Sequence, residues 1–158
     1  MAVQVSVCGP RQSTPEDDDN AYQVGKLLAE HGATVICGGG TGVMAAVARG
    51  ARAADGLVIG VRPGGDRTDA APELSATIVT NMGEARNAVI VWSADAVIVV
   101  GGSWGTLSEL ALAKRRGGVP VISLGGWRVL DQQGRTVPGI AEAATAAEAV
   151  KLALAGAC

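Results

Sequence analysis

The amino-acid sequence predicts a doubly wound, mostly parallel α/β fold in which residues 1–158 form a single domain. Six short apolar stretches rich in Val and Ile alternate with segments of helical periodicity, and glycine-rich turns separate many of them. The chain contains 23 glycines and no Phe, so Val, Ile, Leu and Ala must build the core. Its 158 residues are the length of one ordinary domain. A sheet of this kind binds ligands at the carboxyl ends of its central strands.

The first half of the chain alternates strand and helix. Strands are predicted at residues 3–8, 34–37 and 57–61. The first helix is predicted over residues 22–31, because the acidic residues 17–19 favour a helix start before it and Gly32 ends it. The second helix follows the glycine-rich turn at residues 38–42 and carries apolar residues at the spacing of a buried face. Right-handed crossovers between such units give parallel strands.

The second half continues this alternation, with strands predicted at residues 76–79, 96–100 and 119–124. The first of these strands is short and is expected at the edge of the sheet. Asn81 and Glu84 have the spacing of an N-cap and its reciprocating carboxylate, which predicts that a helix begins there. Ser103 is the expected N-cap of the next helix, and Thr145 is the expected cap of a closing helix.

Two segments show neither helical nor strand periodicity. Residues 62–72 are polar and rich in Pro and Gly, so this loop is expected to be either a mobile lid or plain surface. Residues 127–138 are predicted to form an irregular excursion that contains a turn.

Composition and charge limit the classes of partner. The net charge is −2, and the 13 Lys and Arg residues are scattered without a basic stripe, which predicts a small ligand and no nucleic acid. No apolar run reaches the ~18 residues of a membrane helix, so no membrane association is expected. Cys8, Cys37 and Cys158 have no metal-ligand spacing, and an odd number of thiols without an export signal favours the cytoplasm. Neither a metal nor a resident cofactor is expected.

The stretch from Asp95 to Ala111 is typical of a phosphate site. A continuously apolar strand ends at Gly101 and Gly102, and a helix is expected to begin near Ser103. Free backbone N–H groups and the positive end of the helix dipole would then face the space above the strand. Glycine at the turn lets a ligand approach the backbone closely.

Three motifs resemble the Lonely Guy (LOG) family and its relatives over roughly residues 3–124. They are Gly38-Gly-Gly-Thr-Gly-Val-Met44, Met82-x-x-x-Arg86 and Gly101-Gly-x-x-Gly-Thr-x-x-Glu109. LOG enzymes are Rossmann-like homodimers that cleave the N-glycosidic bond of cytokinin riboside 5′-monophosphates, and relatives act on ordinary nucleoside monophosphates. The resemblance therefore implies a nucleotide site. It assigns Gly101, Gly102, Gly105 and Thr106 to the phosphate loop, and Arg86 and Glu109 to the catalytic pair.

The chain departs from the LOG pattern at two places. It has Val100 where LOG enzymes have Pro before the two glycines, and Asn87 where they have Lys after the arginine. These variants are more similar to an uncharacterised bacterial branch and to the molybdenum cofactor carrier proteins, which bind a phosphate-bearing pterin. Two functions are therefore expected as alternatives: a nucleoside 5′-monophosphate phosphoribohydrolase, and a non-catalytic carrier of a nucleotide or of molybdenum cofactor.

The residues themselves support functional roles for Glu109 and Arg86. Thr106 and Glu109 also fit a capping box, but a cap at Ser103 leaves the Glu109 carboxylate free to face the strand end. There it would stabilise the positive charge that develops when an N-glycosidic bond breaks. Arg86 lies near a helix N-terminus, where a cation is unfavourable unless an anion is nearby. The alternative for Arg86 is a solvated surface position.

The remaining candidates carry weaker signals. Gly39, Gly40 and Thr41 lie before a second helix N-terminus, which suits a phosphate, a partner subunit or simply tight packing. Gly9 and Arg11 follow the first strand and are assigned to the ligand site. They join Ser103 and Trp104 of the glycine turn in the predicted site.

Tryptophans and small helical residues also suggest contacts. Trp92 and Trp104 would stack on a ligand ring, line a dimer contact or fill core gaps, and Trp104 is the better ligand candidate. The alanine-rich helices, with Ala85, Ala88 and Ala111, predict close packing between subunits. A homodimer or a larger even assembly is therefore expected.

Overall fold

The computed structural model describes residues 1–157, so Cys158 lies outside the described residues. Seven strands are present: β1 (Gln4–Cys8), β2 (Thr34–Cys37), β3 (Val58–Arg62), β4 (Ala76–Val79), β5 (Ala96–Val100), β6 (Val121–Leu124) and β7 (Ala141–Ala143). Five α-helices accompany them: α1 (Pro15–Glu30), α2 (Val43–Ala53), α3 (Arg86–Trp92), α4 (Trp104–Arg116) and α5 (Ala146–Gly156).

All seven strands form one sheet in the order β4-β3-β2-β1-β5-β6-β7, and every neighbouring pair is parallel. The predicted doubly wound α/β fold is therefore confirmed. The strand order proceeds toward one edge from β1 to β4 and toward the other from β5 to β7. The loops after β1 and β5 consequently diverge at the carboxyl end of the sheet, and an open α/β sheet binds ligands in the crevice between such loops.

Helices cover both faces of this sheet. On one face, buried residues of α1, α2 and α5 pack against Val5, Val7, Ile98 and other alternate strand residues. On the opposite face, α3 and α4 supply Ile90, Val91, Leu110 and Ala113 to a smaller apolar cluster. Strand β5 is buried along its whole length, as its continuous apolar sequence predicts.

Helix α1 begins earlier than the sequence pattern indicated. It starts at Pro15 rather than near residue 22, and Thr14 is its N-cap. The Thr14 side chain accepts a hydrogen bond from the Asp17 N–H, and the Asp17 carboxylate accepts one from the Thr14 N–H. This is a capping box in which Asp replaces the usual Glu or Gln, which explains why the pattern was missed.

The predicted cap at Asn81 is wrong. Asn81 has a positive φ of 52°, and the helical segment opens with a short 3-10 helix, Gly83–Ala85, whose first residues receive no side-chain cap. Helix α3 then begins at Arg86, so this arginine lies in the first turn, as expected. Glu84 is exposed and makes no capping hydrogen bond, because the chain turns in the left-handed region before the helix starts.

The C-terminal part contains one strand that the sequence did not reveal. Strand β7 has three residues and adds to the edge of the sheet beside β6. Its sequence, Ala-Glu-Ala, lacks β-branched residues, so it carries no strand signal. The preceding segment is irregular, as predicted, with a single antiparallel bridge between Leu130 and Thr136.

Two further features bear on partners. Within residues 1–157, no helix is long and apolar enough to cross a membrane. Ala85 and Ala111 are exposed on the α3 and α4 side of the sheet, whereas Ala88 is partly buried. Whether this surface joins two subunits stays a prediction.

Glycine allows α1 and α2 to approach each other closely. A methyl group at Gly50 would overlap the backbone carbonyl oxygen of Tyr22, and one at Gly25 would overlap that of Val47. Gly50→Ala is therefore expected to destabilise the fold by about 2 kcal/mol or more, although Ala is the better helix former. Chemical denaturation measures this change in the free energy of unfolding.

The matched control is Gly105→Ala, because Gly105 is also helical and has open space around its α-carbon. This change should be neutral or stabilising by up to about 1 kcal/mol. Equal effects of the two substitutions would contradict close helix contact as the reason for Gly50.

Candidate functional site

A cleft of about 740 Å³ lies at the carboxyl end of the sheet, where the loops after β1 and β5 diverge. Its lining comes from the loop after β1 (Gly9, Pro10, Arg11, Gln12), from the start of α4 (Gly102, Ser103, Trp104, Gly105, Thr106, Glu109) and from Met44, Pro63, Glu84, Arg86, Asn87 and Trp127. Most of the site residues predicted from the sequence thus lie around one space. Four predicted site residues do not line it: Gly39, Gly40, Thr41 and Gly101.

The first turn of α4 presents unpaired backbone donors to the cleft. Ser103 is the N-cap, as predicted, and its hydroxyl oxygen accepts a hydrogen bond of 3.2 Å from the Thr106 N–H. None of the described hydrogen bonds uses the N–H groups of Gly102, Ser103, Trp104 or Gly105. These donors, together with the positive end of the helix dipole, form a binding site for an anion.

Close contacts explain both glycines of the turn. Gly101 has a φ of 67°, and a Cβ atom added there would lie 2.7 Å from the Asp17 carboxylate. A Cβ atom on Gly102 would overlap the indole ring of Trp127. The sequence Gly-Gly is therefore needed for the backbone path and for packing, besides leaving room for a ligand.

Arg86 is buried without a hydrogen-bond acceptor. The residue is 7% exposed, and its guanidinium packs against Gly38, where a Cβ atom would lie 2.7 Å from Nη1. No described hydrogen bond takes any of its donors, and the buried Nε has no partner. Burial lowers the pKa of Arg86, while Glu109 acts in the opposite direction. The predicted surface alternative for Arg86 is wrong, because α3 begins against the glycine turn after β2.

Glu109 lies on α4 at the floor of the cleft and is also 7% exposed. Its Oε1 atom is 3.9 Å from Arg86 Nη1, which is an ion pair but too long for a hydrogen bond. Burial raises the pKa of Glu109 from 4.5 to about 7, although Arg86 and a hydrogen bond with the Cys8 thiol both lower it. Burial also raises the pKa of Cys8, with the negative charge of Glu109 adding to this effect, so Cys8 remains a neutral thiol.

Two tryptophans form an aromatic wall at the mouth. The Trp104 and Trp127 rings are 5.0 Å apart and nearly perpendicular, in an edge-to-face contact. Trp104 is 78% exposed and Trp127 is 45% exposed, so both present ring surface to the solvent side of the cleft. Trp92 lies elsewhere, at the end of α3, where the Arg116 guanidinium stacks on its ring at 5.1 Å.

The glycine-rich turn after β2 supports the site from behind. Gly38, Gly39 and Gly40 are buried, and side chains at these positions would meet Arg86, Arg62 and the backbone of Gly60. Tight packing accounts for this motif in the described structure. A direct ligand contact from Gly39, Gly40 or Thr41 stays a prediction.

Comparison with known proteins places this geometry in a family. A model of the SLOG cluster4 family matches residues 2–152, which is nearly the whole chain. The chain belongs to the SLOG cluster4 family. An uncharacterized protein of Archaeoglobus fulgidus is 43% identical over 116 residues, which cover 73% of this chain and 76% of that protein.

Two solved structures closely resemble this SLOG chain. The molybdenum cofactor binding protein of Rippkaea orientalis is 34% identical and has a TM-score of 0.89, covering 98% of this chain and 97% of its own. The molybdenum cofactor carrier protein of Chlamydomonas reinhardtii is 29% identical with a TM-score of 0.82, covering 98% and 99% of the two chains. The predicted similarity to molybdenum cofactor carriers is confirmed, whereas the match to SLOG cluster4 does not identify the chain as a LOG enzyme.

Sequence reasoning missed several lining residues of this SLOG cleft. Trp127 lies in a segment without helical or strand periodicity, and Met44 belongs to a helix face that is predicted to pack in the core. Neither position therefore has a sequence pattern that indicates a ligand site. Asn87 comes directly after Arg86, and the sequence shows it only as a difference from the LOG pattern. Its amide donates a hydrogen bond of 3.2 Å to the Ser108 hydroxyl on α4, which ties α3 to α4 beside the cleft. No cluster of three or more potential metal ligands occurs within residues 1–157.

The buried Glu109 carboxyl should make the stability of this SLOG domain depend on pH. Its pKa is higher in the folded state than in the unfolded chain, so folding takes up a proton between about pH 4.5 and 7. The stabilisation is complete below that range and is lost as the pH rises through 7. Relative to Glu109→Gln, the wild type should lose on the order of 1–3 kcal/mol between about pH 5 and 8.

Urea unfolding at a series of pH values measures this difference. Glu84→Gln is the control, because Glu84 lines the same cleft but is exposed. The Glu84→Gln curve should run parallel to that of the wild type. A parallel curve for Glu109→Gln would contradict the effect of burial on this carboxyl.

Proposed function

We propose that this SLOG protein binds a phosphate-bearing pterin of the molybdenum cofactor type as cargo and does not cleave it. The observation that carries the proposal is Arg86, which lines the cleft as a buried guanidinium and donates no hydrogen bond to any residue that the structure describes. Glu109 is near enough for an ion pair with Arg86 but accepts no hydrogen bond from it, and leaving buried donors without acceptors is costly unless a ligand supplies them.

The phosphate group would bind at the start of α4. Within residues 1–157, four consecutive N–H groups there have no hydrogen-bond partner, and the helix of 13 residues adds its dipole. Gly105 is exposed, and its side of the turn is open, so a phosphate can approach the backbone without displacing a side chain. Arg11 also lines the cleft and adds positive charge.

The rest of the cleft suits a flat, polar ring system. Its volume of about 740 Å³ lies within the common range of small-molecule sites, roughly 300–1,000 Å³. The Trp104 and Trp127 rings offer an aromatic surface at the mouth, and Arg86 and Glu109 offer polar contacts at the floor. Such a combination of few polar groups and aromatic walls orients a heterocyclic ligand.

The two structural neighbours support this choice of cargo. One is described as a molybdenum cofactor binding protein and the other as a carrier of that cofactor. Both matches extend over 98% of this chain, which includes the segments that form the cleft.

A second candidate function is hydrolysis of nucleoside 5′-monophosphates. The observation in its favour is that Arg86 and Glu109, the pair expected to be catalytic, lie 3.9 Å apart inside the cleft. A carboxylate held beside C1′ of a bound nucleotide would stabilise the oxocarbenium-like transition state. Liberation of free base from a panel of nucleoside monophosphates, abolished in Glu109→Gln, would favour this function over carriage.

Direct loading tests the carrier function. The purified protein is mixed with molybdenum cofactor and passed through a gel-filtration column, and the bound molybdenum and pterin are then quantified. We expect the protein to retain the cofactor with both components present and the pterin intact. Elution of the protein without either component would contradict the proposal.

A carboxylate at the start of α4 should block the phosphate. Gly105→Asp places a negative charge where the proposed phosphate binds, so affinity for a phosphate-bearing ligand should fall by roughly tenfold or more. The same change should not reduce stability, because an acidic residue in the first helical turn is favourable. Calorimetry measures the affinity, with Gly105→Ala as the uncharged variant that isolates the effect of adding a side chain. Equal binding by the Asp and Ala variants would exclude this turn as the phosphate site.

Arg86 should contribute directly to ligand affinity. Arg86→Ala is expected to weaken binding by about 1.5–3 kcal/mol, the contribution of a charge-assisted hydrogen bond in a partly dry site. Arg86→Lys retains the charge but not the planar fork, so it should recover only part of the loss. Calorimetry with a phosphate-bearing ligand, together with thermal unfolding, separates binding from folding. Unchanged affinity in Arg86→Ala would remove this residue from the site.

A further inference from the structure

Arg86 and Glu109 form a polar strip with unused hydrogen-bonding capacity at the floor of the cleft. Their side chains are 8% and 9% exposed, and the 3.9 Å between Nη1 and Oε1 is too long for a hydrogen bond. The Cys8 thiol also forms a hydrogen bond with the carboxylate, and a thiol is a weak donor. A charge-assisted hydrogen bond is usually about 2.7–2.9 Å long, so at this separation the Arg86 donors and the Glu109 oxygens do not satisfy each other.

This strip offers acceptors beside a donor. The Glu109 carboxylate supplies two acceptor oxygens, and the neighbouring guanidinium supplies N–H donors. The complementary ligand edge therefore carries two adjacent donors followed by an acceptor. The 2-amino-4-oxopyrimidine edge has this order, with an amino group, a ring N–H and a carbonyl oxygen, and it occurs in both pterin and guanine.

Other purine rings do not match this order. Adenine presents an amino donor beside a ring nitrogen that only accepts, so one carboxylate oxygen would face an acceptor and Arg86 would face a donor. Hypoxanthine keeps the ring N–H and the carbonyl oxygen but lacks the amino group, so it leaves one oxygen of Glu109 unpaired. Unpaired buried groups of this kind reduce affinity strongly.

The phosphate site and this strip are far enough apart for separate contacts. Glu109 follows the N-cap Ser103 by six positions, or about 9 Å of helix rise. A ligand whose phosphate lies on the first turn of α4 can therefore extend its ring toward the cleft floor. Arg86 would then bind the ring carbonyl oxygen, and the four free N–H groups of the turn would bind the phosphate.

We infer that Glu109 and Arg86 recognise the 2-amino-4-oxopyrimidine edge of the ligand, so that the cleft selects pterin or guanine rings over adenine. This inference rests on the proposed function, because it assigns the ring specificity of the same phosphate-bearing ligand. Glu109 is the specificity-determining residue, and Arg86 assists it through the carbonyl oxygen.

Three commercially available nucleotides test the ring selectivity. GMP, IMP and AMP carry the same ribose phosphate and differ in the ring edge, so calorimetry at about pH 8 compares the edge alone. The wild type should bind GMP about 10- to 100-fold more tightly than AMP, with IMP between them. Equal affinities for GMP and AMP, or tighter binding of AMP, would overturn the inference without the need for any variant.

Glu109→Gln then tests the residue. Glutamine presents one acceptor and one donor, which matches adenine and opposes the two donors of guanine. GMP affinity should fall by about 10- to 100-fold, while AMP affinity should hold or rise. The matched control is Glu30→Gln, an exposed carboxylate that does not line the cleft. A GMP preference that survives Glu109→Gln, or one that disappears in Glu30→Gln, would overturn the assignment.

The outcomes separate this inference from the proposed function. If all three nucleotides bind equally and Gly105→Asp abolishes their binding, the phosphate site stands and the ring selectivity is wrong. If none of the three nucleotides binds and molybdenum cofactor is not retained either, both the ring selectivity and the proposed function are wrong. Near-ultraviolet circular dichroism of Glu109→Gln checks that the variant is folded.

Discussion

The burial of two opposite charges without a close hydrogen bond is the constraint on which this site depends. Desolvation disfavours the charged form of both Arg86 and Glu109. At a separation of 3.9 Å, the attraction between the two charges offsets only part of that cost. A bound ring that donates to the carboxylate and accepts from the guanidinium would satisfy both groups at once. The arrangement is therefore explained by a ligand more readily than by stability.

The topology of the sheet brings the pair together. Arg86 starts α3, which leads from the edge strand β4 into β5, and Glu109 belongs to α4, which leaves β5. Both helices lie on the same face, so the two side chains meet above the carboxyl ends of the central strands. The glycine turn after β2 completes the arrangement, because only a residue without a side chain leaves room for the guanidinium at Gly38.

The sequence predicted those features that depend on neighbours along the chain. The buried strand β5, the cap at Ser103 and the free donors of α4 follow from a continuous run of some dozen residues, and all are present. The predictions that were wrong or missing concern features that depend on contacts between residues far apart in the sequence or on backbone angles. Asn is a residue type that often caps helices, but the backbone of Asn81 lies in the left-handed region. Trp127 belongs to an irregular loop and lines the cleft because it packs over Gly102. Arg86 is likewise buried by a tertiary contact, because it packs against the glycine turn after β2, some fifty residues earlier in the sequence.

Carriage and hydrolysis would make different demands on the same two side chains. Hydrolysis of an N-glycosidic bond needs an ionised carboxylate at the sugar, about midway between the phosphate and the ring. Carriage needs the carboxylate at the far edge of the ring, where it fixes orientation and leaves the bonds of the cargo untouched. The position of the Glu109 carboxylate relative to a bound phosphate therefore distinguishes the two functions. The backbone of Glu109 lies about 9 Å along the helix axis from the N-cap Ser103. Because a helical side chain leans toward the N-terminus, a structure with a phosphate-bearing ligand bound would show whether the carboxylate meets the sugar or the ring.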